Sequence, residues 1–261
     1  MVNITLHHYN LSCTSHNDTD FKVDITWFGN IVQDNSVIIN KTDGGLEVIQ
    51  ARSENIFKRV FDLINPFNQR RVIVYIPKNY TGKICVKMVS GNLKFENVNA
   101  DNCNLEVKSG NIKLINCSGD VDLKSKSGNI KVLSHHGSVS AAGVSGNVYV
   151  ETDLIKTNSV ISTKSGNIKA FVYELNADLD IQGKSGNIKL VVNRLNGNVT
   201  ARTGSGNVKA LFREDAKAIF NTQSTGNRND FESAKIPNNE IPLVNLRTKS
   251  GIVRVRKSNF I

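Results

Sequence analysis

Lysine is the residue that this sequence places with most order. Counted from the glycine of a recurrent Ser-Gly-Asn, position +3 holds Lys94, Lys113, Lys131, Lys169, Lys189, Lys209 and Arg254, and position −2 holds Lys108, Lys126, Lys164, Lys184 and Lys249. Two unit charges about 5 Å apart repel by roughly 1 kcal/mol in a water-like dielectric, so stacked rows of cations invite an anion between them unless flexible stems and salt relieve the repulsion. The chemistry on offer is polyanion binding. The whole chain agrees with it: 33 Lys and Arg against 23 Asp and Glu give a formal charge of +10, which attracts nucleic acid, acidic glycan and anionic lipid alike. Few aromatics interleave with the +3 row, which argues against base stacking and specific nucleic-acid recognition. The competing reading of the same rows is a solvated face that resists aggregation.

A second row is chemically mixed. Position +7 holds His135, Asp153, Tyr173, Asn193 and Arg213, a candidate polar ligand-binding edge in which His135 beside Asp153 is the one acid/base pair to consider. A glycosidase needs two carboxylates roughly 5 to 10 Å apart. Asp122 and Asp180 share position −6 but lie three repeats apart, roughly 14 Å at about 4.8 Å per strand. Asp178 and Asp180 are nearer, at the start of a strand. The four cysteines, Cys13, Cys85, Cys103 and Cys117, are too few for a disulfide framework and lack the spacing of a zinc site. Cys103 is expected inside beside Ile84, and Cys85 outside. His135-His136 cannot by themselves supply three converging metal ligands. No catalytic residue, metal ligand or cofactor site is assigned.

The element that must position these rows is a repeat. Gly91, Gly110, Gly128, Gly146, Gly166, Gly186, Gly206, Gly226 and Gly251 recur at intervals of 18 to 20 residues and finally 25. Apolar residues stand seven and five before the glycine, as Val121 and Leu123, and two and four after it, as Ile130 and Val132. Each half alternates like a strand, and the alternation slips by one residue at the glycine, which marks a corner. Asparagine follows at Asn92, Asn111, Asn129, Asn147, Asn167, Asn187, Asn207 and Asn227, and stacked corners would align these amides in a ladder bonded to one another. A leucine-rich repeat is excluded by the absence of its motif, and a sandwich of antiparallel hairpins would not keep one short motif in register. The fold class expected is all-β: a right-handed parallel β-solenoid with coils of about 20 residues.

The chain reads as one solenoid domain over residues 1–261, with irregular coils over 1–80 and regular repeats over 81–261. Gly29-Asn30-Ile31 and Gly44-Gly45-Leu46 look like degenerate corners. Ile56, Phe57, Val60, Phe61 and Ile64 predict a short amphipathic helical insertion over 53–67, with Ser53 as cap and Pro66 as stop. Arg71 to Pro77 predicts a strand, and the long interval before Gly251 a loop excursion through Pro237 and Pro242. No signal peptide or membrane span is read, which places the chain in the cytoplasm by default.

The strand ending Ile76-Pro77, the run Ile84-Cys85-Val86-Lys87-Met88-Val89 into Ser90-Gly91-Asn92-Leu93-Lys94, and the Ser-Gly-Asn-Ile-Lys units that follow resemble a bacterial adhesin-like family of β-solenoid domains of unknown function. The resemblance spans roughly residues 20–261. It implies surface association and carries no catalytic residues. Together these features predict a noncatalytic binding or scaffold module whose partner is a polyanionic polymer or cell-surface glycan. The alternatives are a glycan-active β-helix enzyme, a lyase or glycosidase, and a purely structural protein.

Overall fold

The computed structural model describes residues 1–51, 70–231 and 241–258. The expected helix over 53–67 lies outside them. Among the described residues the regular structure is all strand. The chain opens with β1 (Val2–Leu6) and β2 (Asn10–His16), the two halves of one coil. β3 (Lys22–Trp27) with β4 (Asn30–Ile31), and β5 (Val37–Thr42) with β6 (Gly45–Gln50), form two hairpins, and β7 (Arg71–Pro77) comes next. Regular coils follow: β8 (Lys83–Ser90) with β9 (Leu93–Glu96), β10 (Asn99–Ser109) with β11 (Ile112–Ile115), and β12 (Ser118–Ser127) with β13 (Ile130–His136). The longer coils are β14 (Val139–Ser145) with β15 (Val148–Ile155), β16 (Ser159–Ser165) with β17 (Ile168–Leu175), β18 (Leu179–Ser185) with β19 (Ile188–Leu195), and β20 (Val199–Ser205) with β21 (Val208–Arg213). β22 (Ile219–Gln223), β23 (Gly226–Asn229), β24 (Leu243–Ser250) and β25 (Ile252–Ser258) complete the order.

Strands before the glycine stack in parallel as one wall, and strands after it stack as a second, so the fold is the expected parallel β-solenoid. The inward positions are those the alternation marked. Val121, Leu123, Ile130 and Val132 are each 3% exposed or less, and Cys103 pairs with Ile84 on the same inner face. Corners stack glycine on glycine, with each glycine N–H donating to the corner serine carbonyl of the next coil, as Gly128 does to Ser145 O at 3.0 Å.

The asparagine ladder is built differently from the amide-to-amide stack expected of it. From Asn92 to Asn187 each side-chain carbonyl accepts the backbone N–H of the next coil's asparagine, as in Asn147 N to Asn129 Oδ1 and Asn207 N to Asn187 Oδ1, both 2.8 Å. Asn207 Oδ1 accepts Ile252 N at 2.9 Å, and Asn227 stands outside the ladder with its Oδ1 accepting from Ser224 Oγ. Amide meets amide at Asn111 Nδ2 and Asn92 Oδ1, 3.0 Å apart. The side chain thus satisfies a main-chain donor that the corner would otherwise strand. Asn10 starts the ladder by accepting from Asn92 N at 2.8 Å. Its coil turns at Tyr9, where no glycine advertised a corner.

Both ends depart from sequence order. β1 lies between β6 and β8, and β2 between β7 and β9. At the far end β24 lies between β20 and β22, and β25 between β21 and β23. Each terminal coil is therefore threaded one place inside the stack, and an earlier or later segment covers it. Gly251 consequently stacks on Gly206, while Gly226 falls one residue out of the column, opposite Ile252. The excursion expected between Gly226 and Gly251 falls largely on residues 232–240, outside the described residues. Gly29 and Gly44 are not corners but turns of antiparallel hairpins, pairing Trp27 with Asn30 and Thr42 with Gly45.

Candidate functional site

The +3 row stands on the outer face of the second wall. Lys94, Lys113 and Lys131 occupy consecutive rungs, Tyr149 takes the next, and Lys169, Lys189, Lys209 and Arg254 continue it. Arg228 pairs beyond Arg254 and extends the row by one. Rungs lie about 4.8 Å apart. Lys94 is neutralised by Glu96 at 2.6 Å, but Lys169, Lys189, Lys209 and Arg254 make no ion pair among the described residues. Aromatics are closer to the row than composition suggested. Lys131 Nζ lies 5.4 Å from the Tyr149 ring centre and Lys189 Nζ 5.1 Å from that of Phe171. A notch of about 300 Å³ opens beside Lys189, Lys209 and Arg254, where Ile252 replaces the ladder's asparagine.

The −2 row stands across the corner on the first wall and lines a groove that the repeat alone did not reveal. Position −3 beside it is an inward position filled by small residues: Ser125, Gly143, Thr163, Gly183, Thr203 and Thr248. Each threonine donates its hydroxyl to the corner glycine carbonyl of the adjoining coil, Thr163 to Gly146 O at 3.2 Å and Thr248 to Gly206 O at 2.8 Å. A Cβ on Gly143 or Gly183 would press to 3.1 Å on the next threonine hydroxyl, although Thr203 and Thr248 stand side by side. These small residues lie beneath a hollow in the outer surface. The hollow holds about 890 Å³ and crosses seven strands from Glu106 to Lys249, roughly 29 Å at about 4.8 Å per strand. Lys126, Lys164, Lys184 and Lys249 form one rim; Lys124, Arg202 and Arg247 form the other. Glu106 is the one acid lining it. Lys124 is held by Asp122 at 2.7 Å, which raises its pKa, and Arg202 leans on Asp180 at 3.5 Å.

The mixed +7 row is broken at its head. Thr152 pairs with His135, and Asp153 meets His136 instead, Nε2 to Oδ2 3.5 Å. The cause is Ser134, whose φ of 49° inserts a left-handed turn that reverses the alternation. His135 swings inward to full burial and His136 takes its outward place. Asp153, Tyr173, Asn193 and Arg213 do share one outer column by register. Arg213 is engaged by Asp215, and Tyr173 lies under Arg194 at 5.6 Å. His136 and Asp153 are both more than half exposed.

The inward His135 has a testable consequence. Neither ring nitrogen makes a hydrogen bond of good geometry, and burial holds its pKa below the usual histidine value against the opposing pull of the nearby backbone at Gly119, Cys117 and Ser138. The folded state therefore binds fewer protons than the unfolded one, whose histidine titrates near 6.5. Stability from this site is complete above about pH 6.5 and is lost as pH falls through that value toward the lower folded pKa. Urea midpoints measured from pH 7.5 to pH 5 should drop more steeply in the native protein than in His135→Leu; equal slopes would rule this account out.

Cys13, Cys103 and Cys117 are buried and Cys85 is half-buried, all as free thiols. Burial pushes the Cys103 pKa up to about 12, so it stays protonated. Asp122 and Asp180 are occupied by the pairs already described, and Asp178 accepts Asn198 Nδ2 at 3.0 Å. Among the described residues no cluster of three or more His, Cys, Asp or Glu is placed to hold a metal ion, and no helix is long and apolar enough to cross a membrane.

A family profile described as "Toastrack DUF4097" matches residues 2–240. None of the curated proteins matches the chain. Among solved structures, a "putative adhesin" from Bacteroides fragilis is 18% identical, with a TM-score of 0.54 over 97% of this chain and 91% of that one. A "putative cell adhesion protein" from Clostridium sporogenes is 11% identical, with a TM-score of 0.33 over 98% and 92% of the two chains. The Bacteroides likeness bears on the fold.

Proposed function

The chain belongs to the Toastrack DUF4097 family, and from that premise we propose that it is a noncatalytic binding module whose basic edge holds a linear polyanion in an adhesive setting. The observation that carries the reading is the run Lys169, Lys189, Lys209 and Arg254, four cations on consecutive rungs. Neighbours about 4.8 Å apart repel by roughly 1 kcal/mol even in water. A polymer with its charges along the solenoid axis turns each of those repulsions into an attraction. The name of the Bacteroides neighbour supports the adhesive setting. The engaged state of Asp122 and Asp180, and the exposure of His136 and Asp153, support the absence of catalysis.

The test is binding of linear polyphosphate at 20 and 200 mM salt. Affinity should fall with log salt in proportion to the contacts made. The triple change Lys169→Glu, Lys189→Glu and Lys209→Glu should weaken binding at the lower salt by more than about tenfold and flatten the slope. Circular dichroism and Tm should stay at native values because all three side chains point outward. Absence of binding at 20 mM, or a slope unmoved by the triple change, would reduce the row to a solvated face.

A further inference from the structure

The groove across the corner differs from the lysine row in having an uncharged lining as well as a charge. Of its seven rim cations Lys124 and Arg202 are paired with Asp122 and Asp180, and five cations remain against the lining carboxylate of Glu106, a surplus that favours an anion. The uncharged lining is Gly143 and Gly183 at position −3, Val144 and Gly204 where the −2 rim lacks a lysine, and Ser162 and Gln182, a hydroxyl and an amide, on the opposite rim. That mixture suits a chain with C–H faces and hydroxyls as well as charges.

Two other classes of polymer fit poorly. An acidic peptide would bind most readily by adding a strand to a free sheet edge. Every strand lining the groove is an interior strand, paired on both sides from β10 through β24. Single-stranded nucleic acid needs aromatic platforms for its bases, and none of the residues lining the groove is aromatic. A hollow roughly 29 Å long and open along its length is the shape of a polymer site rather than a small-molecule pocket. Lys164 and Lys184 stand one strand interval apart, about 4.8 Å, while Val144 and Gly204 set Lys126 and Lys249 two intervals away, about 9.6 Å, spacings close to one and two sugars.

We propose that this groove binds a linear acidic glycan of the polyuronate class, with carboxylates on Lys126, Lys164, Lys184 and Lys249 and sugar faces on the uncharged lining. The proposal rests on the reading of the chain as a binding module but not on the +3 row.

The experiment uses the whole chain with a polygalacturonate oligomer at 150 mM salt, and polyglutamate, oligo(dT) and linear polyphosphate as comparison ligands. Ser162→Trp fills the groove from an outward position without altering charge, and Lys164→Glu with Lys184→Glu reverses one rim. Each should weaken polygalacturonate binding by about tenfold or more, while Ser162→Trp leaves polyphosphate binding unchanged. Polygalacturonate binding that survives both variants overturns the proposal. So does polyglutamate or oligo(dT) binding as tightly as polygalacturonate with the same loss in Ser162→Trp, which would make the groove a charge trough or a site for another polymer. Loss of polyphosphate binding in the Lys169, Lys189 and Lys209 triple variant, with polygalacturonate binding retained, supports two separate sites. Polygalacturonate binding with no polyphosphate binding at any salt removes the +3 row from the account and leaves the groove in place.

Discussion

Alanine at Gly166 should cost more than about 4 kcal/mol of stability, enough to abolish cooperative unfolding of the array, while alanine at Gly226 should cost less than about 1 kcal/mol. The glycine at 166 has φ +136°, and a Cβ there would run into the carbonyl oxygen and carbon of Gly146 in the adjoining coil. Those atoms are backbone, held by the ladder on both sides, so no side chain can swing away to make room. Relief would require parting those two coils and losing the hydrogen bond from Gly146 N to Ser165 O, 3.0 Å. At Gly226 φ is not positive, and a new Cβ meets Ile252 Cγ1 alone, at an ordinary 3.8 Å. Urea denaturation followed by circular dichroism gives both numbers. A Gly166→Ala protein within 1 kcal/mol of native would mean that the coils are not stacked corner on corner.

Aspartate at Ile130 should be comparably severe, a loss of more than about 3 kcal/mol. Ile130 is 1% exposed, stacked between Ile112 and Val148. A solenoid interior is one side chain deep from each wall, so the new carboxylate has neither a buried cation nor a route to water. Glutamate at Lys131, the next residue, should change stability by less than about 1 kcal/mol, because that side chain is exposed and loses a contact with Tyr149 worth little at a wet site. Thermal unfolding of the two variants reads the register directly. A milder Ile130→Asp than Lys131→Glu would invert inside and outside along β13.

The repeat was readable in the residues because every coil solves the same steric problem in the same way. The glycine column from Gly91 to Gly206, the inward apolar pairs and the outward lysines all follow from a period of two interrupted at one corner. What could not be read is where one coil borrows space from another. Gly226 and Gly251 look alike in the chain, yet only Gly251 stacks on the column, since the choice depends on which strand fills the slot beside β20. His135 and His136 exchange roles because Ser134 takes a left-handed turn that neither its type nor its neighbours announce. Asn97 and Asn116, at φ 56° and 51°, make the same kind of turn in the two preceding coils. These are the coils of 18 or 19 residues, so the short interval was the available signal. The groove was hidden for another reason: Thr163, Gly183 and Thr203 are 20 residues apart, and their alternation of bulk has meaning only when stacked.

The threading of the two terminal coils gives the molecule a particular response to force. A strand at the end of a stack peels like tape, since each residue pulled away breaks bonds along one side. β1 and β25 are held on both sides, so tension entering through either must break two rows of bonds for every residue extracted. The segments covering them, β6 with β7 at one end and β22 with β23 at the other, carry none of that tension directly. At the far end the strands paired on one side, β22 and β23, are thus shielded from the pull, and resistance to being unravelled is concentrated where a tether would apply its load.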